Sequence, residues 1–443
     1  MNLPGRKPER FFVRMKGKTE RKVEYSSCYR RDFSMNAEDT RIIRELAGRV
    51  SEISKMPGEE KKRDMWRNHT SLKGSIPPVF VSPEGSWAEI LPPEKLLCED
   101  TFAREIELEL RKRIFRFEVI KDDTPVENIF DFPVSLIPVN EHWGLDYVRK
   151  PANGRGSWKH VAVIEDLKEF DKLTKPSLDV DEKGAELRRQ MLMDAAGDYL
   201  QANVTGIKIF DFHIAHIYAD FRGLDNLLYD LIDDEERVKD VFEFLGEGLM
   251  GLVKQAQSMH LIQRNDDHTY HYTGGLGYTR DLPENGESGA DTMNVWAACE
   301  AQEFSCVSPR MFAETILPVE RKLLEPFGLN GYGCCDDLTE KLDSVLTIKN
   351  LRRVAACPWA NLKKMADRLK KDYILTWKPN PAYLAGEVFD EKTVENYMIQ
   401  SLTDARDGYP EIILRDTHSV RNDPERFGKF VEITRRAIEK VYT

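Results

Sequence analysis

The stretch LRRVAACPWANLKKMADRLKKDYILTW, residues 351–377, decides the fold. Leu351 to Ala356 reads as a short buried strand closed off by Cys357-Pro358. Leu362 to Lys371 reads as a helix, and Asp372 to Trp377 as a second short strand. A strand, a crossover helix and a strand in that order form a parallel βα unit.

The same texture extends outward in both directions. Strands are expected at Pro78 to Val81, Gly206 to Phe212, Thr269 to Tyr272, Leu329 to Gly333 and Glu411 to Arg415. Helices are expected at Pro93 to Phe115, Gly184 to Ala202, Glu235 to Met259, Pro309 to Phe327, Leu338 to Leu346, Glu391 to Asp407 and Pro424 to Val441. Pro309 and Pro424 suit first-turn positions, with Ser308 and Asp423 as caps. Arg116 to Val161 is irregular and is expected to hold one strand and an excursion. Before Ile76 the chain is charged, and Ala37 to Ser54 has helical spacing with Asn36 as its cap.

Parallel strands with crossover helices close into a barrel or form an open doubly wound sheet. No G-x-G-x-x-G turn follows an early strand; Gly274 to Gly277 lies mid-chain with different spacing. The expected architecture is therefore α/β, a TIM (β/α)8 barrel over residues 76–443, with residues 1–75 as an N-terminal helical extension packed on it.

Hydrophobic residues at 41% supply a large core without disulfides or disorder. The net charge of -11 argues against nucleic acid and against an anionic membrane surface as partners. Met1 to Lys22 is basic and lacks the apolar centre of a signal peptide, so a cytoplasmic location is expected. The seven cysteines do not suggest a disulfide framework. Cys334 and Cys335 are adjacent, which strains a bond between them, and they read as reduced thiols.

Barrel chemistry sits at the C-terminal ends of the strands. Gly331-Tyr332-Gly333-Cys334-Cys335-Asp336-Asp337 is the sharpest such segment: glycines admit a ligand close to the backbone, and two thiols suit a soft metal. Small buried residues at a tight turn are the bland alternative. In Arg415-Asp416-Thr417-His418-Ser419, His418 is a candidate metal ligand or acid, with Asp416 to orient it. Gln302 and Glu303 suit polar substrate binding or acid–base work. His271, near His268, Tyr272 and the glycines, is a weaker candidate, as are Asp211, His213 and His216. Glu84 and Trp87 follow the first strand; Trp359 and Lys378 follow later ones. Lys378 reads either as an anion holder or as a surface lysine. Walker, H-E-x-x-H and G-x-S-x-G motifs are missing, which removes kinase, metzincin and α/β-hydrolase readings.

Val307-Ser308-Pro309-Arg310-Met311-Phe312 through Ile316-Leu317-Pro318, then Gly328 to Asp337, resembles the C-terminal half of the uroporphyrinogen decarboxylase superfamily. Ile348 to Arg352 with Pro358-Trp359, and Arg415 to His418 with Asp423-Pro424-Glu425-Arg426, look like a long branch of it. The likeness covers roughly Ile76 to Thr443. True decarboxylases carry an Arg-rich signature near the first strand; Pro77 to Trp87 contains no arginine to hold tetrapyrrole carboxylates.

The other branch implies methyl transfer between a small methylated substrate and a separate corrinoid protein, with zinc bound by an H-x-C motif and a later cysteine. In that alignment Tyr332 replaces the histidine, Cys334 matches the first cysteine and His418 falls near the third ligand. Cys335, Glu303 or His271 is then needed to complete a zinc site. The resemblance thus implies a corrinoid-dependent methyltransferase, with methylcobalamin carried by a partner, and a homodimer. Two other readings stay open: a decarboxylase or lyase holding a carboxylate with Lys378, Arg280 or Arg415, and a non-catalytic binding barrel.

Overall fold

The computed structural model describes residues 35–139, 141–146, 148–151 and 158–442. The basic segment Met1 to Lys22 lies outside them. Seven strands form one parallel sheet: β1 (Val79–Val81), β2 (Asp211–Phe212), β3 (Trp296–Cys299), β4 (Leu329–Tyr332), β5 (Leu351–Ala356), β6 (Ile374–Trp377) and β7 (Pro410–Leu414). Their spatial order is β1-β7-β6-β5-β4-β3-β2, so the first strand lies beside the last. Among the described residues β1 and β2 are not paired with each other. The free edge of β1 is capped by side chains: the Val79 and Val81 N–H groups donate to Asp123 Oδ2 and Asp122 Oδ2, both at 2.8 Å. Among the described residues no helix is long and apolar enough to cross a membrane.

Strand side chains alternate between faces. Val81, Tyr332, Val354, Trp377 and Ile412 join the main core, which includes Met398 of the helix Glu391–Asp404 and Phe427 of the helix Glu425–Tyr442. The opposite face carries Phe80 and Ile413, packed with Leu276, Tyr278 and Trp66. That face is covered by a tight turn in which Tyr270 bridges Leu276 and the His271 N–H donates to the Gly275 carbonyl. It is also covered by Trp66 and His69 of α2 (Pro57–Thr70).

Beneath the turn lies a polar centre. Arg353 Nε stands 3.2 Å from Glu411 Oε1, and His69 Nε2 stands 3.2 Å from Glu411 Oε2. Thr376 Oγ1 donates to Glu411 Oε1 at 2.7 Å, and Arg353 Nη2 donates to the Leu276 carbonyl at 2.7 Å. Gly275 has φ +77°, and a Cβ there would meet Glu411 Oε1 at 2.8 Å and Arg353 Nη2 at 2.9 Å. Gly275→Ala therefore combines backbone strain with crowding against two buried charges. We expect a loss of about 1–3 kcal/mol in urea unfolding; a change below about 0.5 kcal/mol would contradict the close approach.

α1 (Ala37–Ser54) joins a second core. Its Ile43, Ala47 and Val50 pack with Leu110 of the helix Thr101–Phe115, Leu192 of the helix Lys183–Ala196, and Phe130 and Phe132. Phe130 and Phe132 belong to Ile129–Pro133, which pairs in parallel with Gln201–Thr205. Asn36 caps α1, its side chain accepting from the Asp39 N–H, and Ser308 caps the helix Pro309–Thr315 in the same way.

Several boundaries differ from expectation. The helix expected from Pro93 starts at Thr101, where Asp100 accepts from the Phe102 and Ala103 N–H groups. Pro309 to Phe327 is two helices, Pro309–Thr315 and Leu317–Leu324, because Pro318 has no N–H to continue the ladder. The helix expected to reach Ala202 ends at Ala196. Trp296–Cys299 is a strand that its four residues did not announce. Asp423 is not a side-chain cap; its Oδ2 faces Arg426 Nε at 3.4 Å.

Candidate active site

Parallel strands aim their C-terminal ends at one region, and there the polar residues converge. β4 is followed by Gly333, whose φ of +88° turns the chain so that Cys334 lies on the face of Tyr272 and Ala298. The Cys334 N–H donates to Asp336 Oδ1 at 2.9 Å, fixing the turn. Cys334 Sγ is 3.5 Å from Cys335 Sγ and 4.0 Å from Arg415 Nη1. Lys378 Nζ, beyond β6, donates to the Cys334 carbonyl at 2.9 Å. Cys334, Lys378 and Arg415 are all buried, whereas Cys335 is exposed.

Electrostatics divide the two thiols. A hydrogen bond from Cys335 holds the Cys334 thiol well below its ordinary range, helped against burial by the Lys378 and Arg415 charges and by Tyr272. Donating to that sulfur pushes the Cys335 thiol up. Burial works most strongly against the Lys378 charge, but Cys334, Tyr270 and Cys335 together outweigh it and keep the ammonium above its usual value. These shifts favour a thiolate on the buried sulfur, with two cations beside it.

Arg415 is itself held in place. Its Nη1 reaches the Tyr270 hydroxyl and the Tyr272 carbonyl, each at 3.3 Å. Its Nε lies 3.4 Å from Glu84 Oε1 and 3.7 Å from Asp416 Oδ2. Glu84 and Asp416 both hold left-handed backbone, with φ of +41° and +58°. Strained non-glycine residues of this kind concentrate at functional sites.

A second cluster adjoins the first. Glu300, just past β3, meets His213 Nδ1 at 2.7 Å, and Glu300 Oε2 accepts the Gln302 N–H at 3.0 Å. The His213 ring meets Tyr272 edge-on, with centroids 4.4 Å apart. Burial pushes the Glu300 carboxyl well above its ordinary value, and Glu303, Cys334 and Asp336 push it further. That shift favours the protonated carboxyl, the form able to give a proton. Glu303 pairs with His216 Nδ1 at 3.0 Å.

The structure thus brings Glu84, Cys334, Cys335, Lys378, Arg415 and Asp416 together, with Gln302 and Glu303 in the adjoining cluster. Lys378 is buried rather than a surface lysine, since positions 374, 376 and 378 share the inward face. Five candidates stand elsewhere. Tyr332 points into the helical layer and donates to Glu320 Oε2 at 2.5 Å, because alternation turns it away from the face of Gly331 and Gly333. Trp87 packs edge-on against Phe115, and Trp359 is 72% exposed. His271 is buried 5.2 Å from the Trp296 ring, its pKa lowered by burial, then by Arg353, to about 3. His418 is exposed and lies against Gly85. Glu300 and Tyr270 were missed; a carboxylate directly after Trp-Ala-Ala-Cys was the available signal for Glu300.

The residues expected to hold zinc do not fit it. Among the described residues one group of three or more potential ligands converges to within 4.8 Å, and it is Asp131, Asp267 and His268. Cys334, Cys335 and His418 form no such group, and Arg415 and Lys378 already supply positive charge where a dication would sit. Asp131 and Asp267 already share the Lys208 ammonium, whose Nζ lies 2.8 and 2.5 Å from their carboxylates.

No family model matches the chain, and no curated protein matches it. Fold and site together describe an α/β protein with a cation-flanked thiol pair at the strand ends.

Proposed function

We propose that the chain is an enzyme whose Cys334 thiolate is the attacking group, and that its reaction is methyl transfer between a small methylated substrate and a separate corrinoid protein. The observation that carries the reading is the Cys334 sulfur, 3.5 Å from the Cys335 thiol and 4.0 Å from Arg415. The methyl-transfer part rests on the resemblance to uroporphyrinogen decarboxylase-like methyltransferases. The same resemblance supports a homodimer, and with the sequence a cytoplasmic location.

In the first step the thiolate takes the methyl carbon, the bond from that carbon to the donor heteroatom breaks, and Glu300 protonates the leaving group. In the second step the methyl leaves sulfur for the reduced corrinoid, and the thiolate returns. Lys378 and Arg415 assist both steps: a stabilised thiolate is ionised when it attacks and leaves readily afterwards. Zinc has no step in this scheme.

The sheet is read as the wall of a closed barrel. Adjacency of the first and last strands supports this, because closure brings the chain's ends together. Asp122 and Asp123 then stand on the β1 edge that faces the seam.

A second reading is favoured by one observation: two buried cations, Lys378 and Arg415, stand at the strand ends and suit a carboxylate substrate, as in a lyase or decarboxylase. The test is to incubate the full chain with isotope-labelled methyl thiols, ethers and amines, with cob(I)alamin as acceptor. Labelled methylcobalamin, with label trapped on Cys334 and lost in Cys334→Ser, is the expected result. Equal transfer by Cys334→Ser would overturn the nucleophile. Carbon dioxide release from carboxylate substrates without methyl transfer would favour the second reading.

A further inference from the structure

We infer that Cys334 and Cys335 together form a chelating site for neutral, trivalent thiophilic metalloid compounds, of which arsenic(III) species are the simplest. The inference rests on the thiol-pair reading above but not on methyl transfer.

The geometry suits one atom bridging two sulfurs. A disulfide needs sulfurs about 2.05 Å apart, and these stand 3.5 Å apart. Two sulfurs bonded at about 2.3 Å to one atom, at an angle between roughly 95° and the tetrahedral value, lie about 3.4–3.8 Å apart. Insertion of a single atom therefore needs little movement, whereas closing a disulfide needs a collapse of the turn. The Cys334 N–H to Asp336 bond and the Lys378 bond to the Cys334 carbonyl brace that turn against collapse.

Charge selects the ligand. Arg415 Nη1 at 4.0 Å and the Lys378 ammonium oppose a dication such as zinc. They do not oppose an uncharged arsenous species, which needs no four-donor shell. Access is provided by Cys335, the exposed member of the pair, which receives the ligand first; the buried Cys334 sulfur then closes the chelate.

The chemistry balances without an oxidant. A trivalent R–As(OH)₂ exchanges two As–O bonds for two As–S bonds, and arsenic stays trivalent. One proton comes from the Cys335 thiol and one from solvent, and both hydroxides leave as water.

The test uses phenylarsine oxide and the full chain, read by intact mass. One arsenical per chain is expected, resistant to excess monothiol and removed by a dithiol. Cys335→Ser should lose that resistance, with affinity falling roughly 100-fold as a two-point attachment becomes one. Alkylating Cys335 in the unaltered protein should do the same, while Cys306→Ser should change nothing. A resistant adduct retained in Cys335→Ser, or absent from the unaltered protein, would overturn the site. An adduct that forms while Cys334 titrates as an ordinary thiol would instead overturn the attacking-thiolate reading and leave the site standing.

Discussion

Glu411→Ala should lower the unfolding free energy by about 3–5 kcal/mol. Glu411 and Arg353 are both fully buried, and the carboxylate also serves His69 and Thr376. Removing it leaves the Arg353 guanidinium buried without its counter-charge, and that desolvation makes the cost large. The double change Arg353→Met with Glu411→Leu should cost far less than the sum of its parts, because no orphan charge remains. Urea unfolding of the native protein, Arg353→Met, Glu411→Leu and the double variant measures this directly; additive losses would show that the charges do not act as a pair.

The same centre gives a pH dependence. Burial raises the Glu411 carboxyl, but Arg353, His69 and Thr376 outweigh it and hold the group below its ordinary value. A depressed carboxylate contributes stability above its unfolded pKa of about 4.3, and loses it as pH falls through the lower folded value. Burial also lowers the His69 pKa, against the pull of Glu411. That histidine folds neutral, so its contribution is present above about 6.5 and fades as acid protonates the unfolded chain. Acid unfolding should therefore begin at a higher pH in the native protein than in His69→Gln.

Cys334→Ser should abolish the proposed methyl transfer, with rates down by about 10⁴-fold or more, the scale on which loss of a nucleophile is felt. Arg415→Met should cost on the order of 10²-fold at neutral pH, as loss of one preorganised charge does. The two differ in their response to alkali. Without Arg415 the Cys334 thiol ionises at higher pH, so raising the pH should restore part of the rate. Serine offers no such recovery. A pH-independent defect in Arg415→Met would mean that the guanidinium positions substrate rather than stabilising the sulfur anion.

Much of the fold was legible locally. Leu351–Ala356 is a strand over the expected residues, and the caps at Asn36 and Ser308 form as their sequence context suggests. These features depend on neighbours in sequence. Trp296–Cys299 escaped because four residues carry too little periodicity to distinguish a strand from a loop. Cys334, Cys335, Asp416 and Lys378 were findable because strand ends are where such sheets keep their chemistry. The Tyr332 assignment followed an alignment instead of strand parity, and parity places it on the helical side. Glu300 and His213 lie 87 positions apart, and only the fold makes them partners.

The most direct measurement is the ultraviolet absorbance of thiolate against pH, for the native protein and Cys334→Ser. Burial raises the Cys299 and Cys357 thiols and pushes Cys98 up to about 12, so these stay silent near neutrality. The expected result is a thiolate signal in the native protein already present well below the ordinary thiol pKa of about 8.5, and missing from Cys334→Ser. Superimposable titrations, with no ionised thiol at neutral pH in either protein, would contradict the thiolate on which the proposed chemistry depends.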